Sequence, residues 1–149
     1  MTTRAAAPPV PPRSAFRGAS IGLSSARTPD LIRRIEQGLE FRSLSFFERS
    51  SGLPRAAIVQ VLGIPERTLA RRRSVGRLSP EESERLWRLA TVFDKAVALF
   101  EGNRAAAARW MAAPRPQFAG QTALDFSRTD VGAREVENLI GQLEHGIFP

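Results

Sequence analysis

Apolar residues recur at helical spacing through most of this chain. Leu31, Ile35 and Leu39 lie four apart and predict a helix that starts at Thr28-Pro29-Asp30: a hydroxyl cap, proline at the first helical position, and a carboxylate near the positive end of the dipole. The following "SLSFFERSSGLP" predicts a second short helix, stopped at Gly52 before Pro54. Next, "RAAIVQVLGIPERTLARRR" predicts two short helices around Gly63. Ser79-Pro80-Glu81-Glu82 is a capping box with proline at its first helical position, and Leu86, Leu89, Ala90, Phe93, Val97 and Phe100 continue it as an unbroken apolar stripe. Gly102-Asn103 closes that helix and caps "RAAAARWMAA", which Pro114 ends. A short helical turn is expected from Thr122 to Phe126, then a last helix from Asp130 to His145 with Val136, Leu139, Ile140 and Leu143 on one face and Gly146 as its stop. No useful period-2 pattern appears, so the expected fold is all-α.

The charge pattern divides the chain further. Residues 1–27 carry arginine but no acidic residue, and the prolines between Pro8 and Pro12 oppose helix there, so a disordered basic Pro/Ala-rich tail is expected. A module over 28–101 and a second over 102–149 follow, divided near Gly102. The 149 residues contain 22 Lys+Arg against 15 Asp+Glu, a net charge of +7, with a sequence pI near 11.5. Such a chain attracts polyanions. Without cysteine it has no disulfide framework, thiolate metal site or cysteine nucleophile, which fits a reducing cytoplasm. The first residues lack a secretory apolar core, and no stretch approaches a bilayer span. A membrane-surface role lacks the helix with a broad apolar face and a Lys-rich polar one. His145 is the only histidine. With no glycine-rich phosphate loop, nucleophile elbow or histidine pair, the pattern argues against an enzyme and implies no cofactor and no metal.

"LGIPERTLARRR" concentrates the positive charge at a turn. A helix-turn-helix needs glycine at the turn, aliphatic residues around it, and an apolar anchor in the second helix. Ile58, Leu62, Gly63, Ile64 and Leu69 supply these. At 100° per residue, Arg67 and Arg71 fall nearly opposite Leu69 with Ser74 beside them, so anchoring Leu69 points both arginines outward, as a recognition helix requires. Arginine reads guanine O6 and N7 as a bidentate fork and also clamps phosphates. Arg72 and Arg73 lie roughly 60° and 40° from Leu69 and suit phosphates, with their stems over the core edge. An arginine at the inward position of Arg72 is unusual for this motif. Arg77 in the following loop is a further candidate for the DNA backbone, and Thr68 completes the expected DNA-binding set.

At the other end, Ile147, Phe148 and Pro149 place two large apolar side chains past a helix stop. Chain ends that are not tied down are usually mobile and polar. Two readings stay open: the tip docks on its own domain, or it anchors in a partner's cleft. His145 is either a cap on the helix's free carbonyls or a partner contact.

Taken in order, the turn, "GRLSPEESERLWRLATVFDKAVALF", "ARWMAAP" and the terminal "LEHGIFP" resemble the antitoxins of the Xre/MbcA/ParS family over residues 40–149. Trp110, Pro114, Phe118, Gly120, Ala123, Leu124, Asp125, Gly132, Val136 and Glu144-His145-Gly146 follow the family closely; Met111 stands where leucine is usual, a volume-conserving swap. The resemblance implies a Cro-like helix-turn-helix followed by a small helical toxin-binding domain. It further implies neutralisation of a RES-type toxin that consumes NAD, either degrading it or ADP-ribosylating a target, and autorepression at operator DNA. The antitoxin is then expected as a homodimer within a larger toxin–antitoxin hetero-oligomer, with Glu144, His145, Gly146, Ile147, Phe148 and Pro149 toward the toxin. The alternative is a free-standing helix-turn-helix regulator whose C-terminal half dimerises or senses a ligand.

Overall fold

Ser79 accepts the N–H of Glu82 at 3.1 Å while the Glu82 carboxylate accepts the N–H of Ser79 at 2.8 Å, the reciprocal capping box that the sequence predicts. From it runs the longest helix among the described residues, which in this computed structural model are 16–147. In chain order the helices are α1 (Thr28–Gln37), α2 (Phe41–Ser51), α3 (Arg55–Leu62), α4 (Glu66–Val75), α5 (Pro80–Leu99), α6 (Arg104–Ala112), α7 (Ala123–Phe126) and α8 (Asp130–Glu144). Short 3-10 turns occupy Ala19–Ile21 and Pro116–Phe118. Among the described residues there is no strand, only two isolated bridges, Glu40 with Arg77 and Pro114 with Thr122. The fold is all-helical.

Helix α5 is the axis of the molecule. Its apolar stripe, with Leu86, Leu89 and Phe93 fully buried, lies among α1, α2, α3, α6 and α8, all of which pack against α5. Phe47 of α2 meets Phe93 edge to face, ring centres 5.8 Å apart. One continuous apolar core therefore runs from α1 to α8. In the C-terminal part, Asn103, Thr122 and Thr129 cap α6, α7 and α8 through their side chains.

Two local expectations are corrected. The cap of α1 is Arg27, not Thr28, and it caps without a side-chain bond; the Thr28 hydroxyl instead receives Arg17 at 3.3 Å. More consequentially, the basic tail expected over 1–27 does not describe its second half. Ile21 and Leu23 enter the core, and the N–H groups of Gly18 and Ser20 donate to the buried Asp94 at 2.9 and 3.2 Å. Arg17 lies over the Trp87 ring, 5.6 Å from its centre. The Pro/Ala-rich part of that expectation, residues 1–15, lies outside the described residues.

Candidate functional site: the basic helix and the chain end

The turn between α3 and α4 is built as its residues dictate. Gly63 takes φ 67°, ψ 32°, a left-handed conformation that costs glycine nothing, and its N–H closes the end of α3. Ile64 is buried in the corner and Ile58 and Leu62 are fully buried beneath it. The carbonyl of Leu62 is bound by Arg85 of α5 at 3.1 Å, which ties the turn to the main helix. Leu69 packs against the core, although no residue of α4 is fully buried. Helix α4 is thus a surface helix held along one edge.

The arginines of α4 divide by partner. Arg67, Arg71 and Arg73 are exposed and form no hydrogen bond or ion pair among the described residues, and Ser74 is exposed beside them. Thr68 is half-buried. Arg72, the inward position, turns its Nε to Glu82 at 2.8 Å. Burial pushes the Glu82 carboxyl up, but the Ser79 N–H and the Arg72 guanidinium outweigh it and hold the group below its ordinary value. An arginine where the motif normally has an apolar residue is therefore compensated by the capping-box glutamate ten positions on, and it locks α4 to the start of α5. Arg72→Ala is expected to lower stability by about 1–3 kcal/mol, read as a shift of the urea midpoint, because it leaves a nearly buried carboxylate without its charged partner. Arg77 donates to the carbonyl of Gly38 at 2.7 Å and joins the loop to the end of α1.

At the chain end, α8 stops as predicted. Gly146 adopts φ 72° and the N–H of Ile147 returns to Gln142 O at 2.8 Å. His145 is exposed at the C-cap, Glu144 is half-buried, and Ile147 remains 56% exposed. Phe148 and Pro149 lie outside the described residues. Pattern reasoning missed a concavity of about 540 Å3 between α5 and α8, lined by Trp87, Lys95, Glu137, Ile140 and Glu144, with Lys95 and Glu137 paired at 3.4 Å across it. Its residues come from two helices distant in sequence and, with Phe16 and Arg17, from the N-terminal arm. Trp110, by contrast, is buried as expected of a core aromatic, with the Arg115 guanidinium stacked 4.4 Å from its ring centre. The described residues contain no cluster able to hold a metal ion and no helix long and apolar enough to cross a membrane.

The molecule is thus a helix-turn-helix with an outward arginine face, joined through one long helix to a helical C-terminal module. Residues 30–91 match the antitoxin Xre-like helix-turn-helix domain, and residues 95–146 match the antitoxin Xre/MbcA/ParS C-terminal toxin-binding domain. The chain is 40% identical over 129 residues to the antitoxin Xre of Yersinia enterocolitica serotype O:8, covering 86% of this chain and 87% of that protein. It is 34% identical over the same coverage to the antitoxin Xre of Photorhabdus laumondii. The chain belongs to the Xre/MbcA/ParS family of antitoxins.

Proposed function

We propose that the protein neutralises a RES-type, NAD-consuming toxin by covering its active site with the C-terminal module, and represses its own operon through α4. The working division falls near Gly102. The protein itself performs no catalysis and needs no cofactor. It acts in the cytoplasm as a homodimer inside a larger complex with its toxin. The observation that carries this reading is the match of residues 95–146 to the toxin-binding domain, which runs through the end of α8 up to Ile147, exposed past the helix stop. In this reading Glu144, His145, Gly146 and the exposed Ile147 face the toxin's nucleotide pocket, and Phe148 and Pro149, which lie outside the described residues, are assigned to the same contact from the sequence. On α4, Arg67 and Arg71 read bases, while Thr68, Arg72, Arg73 and Ser74, together with Arg77 in the loop after it, meet the backbone.

Fully burying a phenylalanine is worth roughly 1.5–3 kcal/mol, so deleting Ile147 to Pro149 is expected to raise the dissociation constant for the toxin by about tenfold or more while leaving operator binding intact. The test co-expresses the truncated chain with a RES-type toxin encoded beside its gene and reads growth and NAD level, together with an operator gel shift. Full protection by a stably folded truncation moves neutralisation to the helical surface; retention of every function without any toxin partner returns the protein to a free-standing regulator. Arg67→Ala or Arg71→Ala is expected to cost about 1–3 kcal/mol in operator affinity and to relax base preference, whereas Arg73→Ala weakens all sequences alike. Competition gel shifts with single-base operator variants separate the two classes.

A further inference from the structure

The arginines do not stop at α4. Past its end the chain pairs back on the start of α2: Phe41 N–H donates to Gly76 O at 2.9 Å and Leu78 N–H to Leu39 O at 2.8 Å. That pairing sets Arg73 and Arg77 in one concavity with Arg42, about 480 Å3 in volume, and sets Arg77 and Arg42 in an adjoining one of about 520 Å3 with Arg34 of α1 and Arg49 of α2. Glu40 is the one carboxylate lining either concavity, and it is already paired with Arg42. Arg34 and Arg49 are exposed and have no hydrogen-bond or ion-pair partner among the described residues.

The walls of this trough are fixed. Ile21 and Leu23 of the docked N-terminal arm are buried along it, and the Ser50 hydroxyl donates to the carbonyl of Ser20, which ties the arm to α2. Five arginines around one neutralised carboxylate repel one another, and folding tolerates that most readily where a polyanion relieves it. Guanidinium forks bind phosphate oxygens bidentately, and a nucleic-acid backbone presents such oxygens in a row. The trough also begins at the C-terminal end of the helix that carries Arg67 and Arg71.

We propose that this trough holds the sugar-phosphate backbone of the same DNA duplex whose bases α4 reads, extending the footprint across α1 and α2. This rests on the DNA-binding reading above, and the two fail differently. Each neutralised phosphate adds about 0.9 to the slope of log K against log salt. Arg34→Ala with Arg49→Ala is therefore expected to make that slope shallower by about 1.8 per bound protomer, and to weaken operator and unrelated DNA by the same factor, roughly tenfold or more at 0.1 M salt. Among the described residues neither side chain has a partner to lose, so the fold is retained. Arg34→Lys with Arg49→Lys keeps the charge and is expected to keep most of the slope. Arg104→Ala with Arg109→Ala, on exposed α6 positions, lowers net charge equally outside the trough and is expected to change the slope far less. Fluorescence anisotropy against salt on the full chain measures all four. An unchanged slope with intact operator binding overturns the trough alone; so does a shift equal to that of the α6 pair, which reports net charge only. Unchanged DNA binding with lost toxin capture assigns the trough to an acidic protein surface and overturns it too. Failure of the unaltered chain to bind any DNA overturns both readings.

Discussion

Gly132→Ala is expected to unfold the α7–α8 junction at a cost above about 3 kcal/mol, lowering the midpoint of thermal unfolding by about 10 °C. Gly132 sits in the first turn of α8, where its N–H is bound by the capping Thr129 hydroxyl at 3.1 Å. A Cβ added there falls 1.7 Å from the carbonyl oxygen of Phe126 and 2.9 Å from its carbonyl carbon. Both are backbone atoms, so no rotamer relieves the overlap. The Phe126 ring is itself stacked on the buried Phe118, centres 4.9 Å apart, and moving either the carbonyl or α8 displaces Ala133 and Val136 from the core.

The control lies on the same helix. A Cβ at Gly141 meets nothing within 4 Å, so Gly141→Ala is expected to be neutral or to stabilise by up to about 1 kcal/mol through helix propensity. One substitution type therefore gives opposite signs nine residues apart. Thermal melts followed by circular dichroism decide it. A Gly132→Ala protein that melts with the unaltered chain would mean that the junction yields freely and that glycine there has another purpose.

The parts of the fold that the sequence announces are those whose chemistry is local. The capping box at Ser79, the left-handed stops at Gly52 and Gly63, and the stripe from Leu86 to Val97 each involve residues within a turn or two of one another, and each appears where the pattern puts it. The outward direction of Arg67 and Arg71 follows from the position of Leu69 alone. Arg72 looked out of place because its partner is on another helix: Glu82 announces itself as a capping residue, and its second task, neutralising Arg72, is visible only when α4 and α5 are laid side by side.

The arm from Phe16 to Arg27 was hidden for the same reason on a larger scale. Its composition is that of a solvated tail, short on apolar periodicity and free of acidic residues. Nothing nearby in sequence tells Ile21 and Leu23 from the scattered apolar residues of a flexible segment. What holds them is a carboxylate 76 positions away from Gly18 and a groove formed by α2 and α5. Asp94 in turn interrupts an otherwise apolar face of α5, a signal that it has a buried task but not which backbone it serves. The arginine trough shares this obscurity, since its arginines come from α1, α2, the end of α4 and the loop after it.

Replacing Asp94 is expected to release that arm. The carboxyl is 4% exposed, and it is the acceptor for two backbone N–H groups, those of Gly18 and Ser20. In Asp94→Leu both would be left without a partner, at about 1–3 kcal/mol each if they stayed buried. The arm instead detaches, the amides of Gly18 and Ser20 lose protection from hydrogen exchange, and trypsin cuts after Arg17 and Arg27 at concentrations that spare the intact protein. The pH dependence gives an independent reading. Burial pushes the Asp94 carboxyl up from 3.8 to about 6, against the opposing pull of the Ser20 and Gly18 hydrogen bonds and the Arg104 charge. The folded-state value lies above the unfolded one, so between them the folded chain holds a proton that the unfolded chain has released. Stability from this group is therefore full below pH 3.8, declines as pH rises toward 6, and is flat beyond. The span corresponds to on the order of 3 kcal/mol. Asp94→Asn keeps an acceptor oxygen and cannot titrate, so the difference in unfolding free energy between it and the unaltered chain should drift in favour of Asn by that amount from pH 4 to pH 6.5, while the acid loss through Glu82 cancels between the two. Urea titrations at half-unit pH intervals measure the drift. A constant difference would show that Asp94 titrates alike in the folded and unfolded chains and that its burial in the folded state is not what the structure indicates.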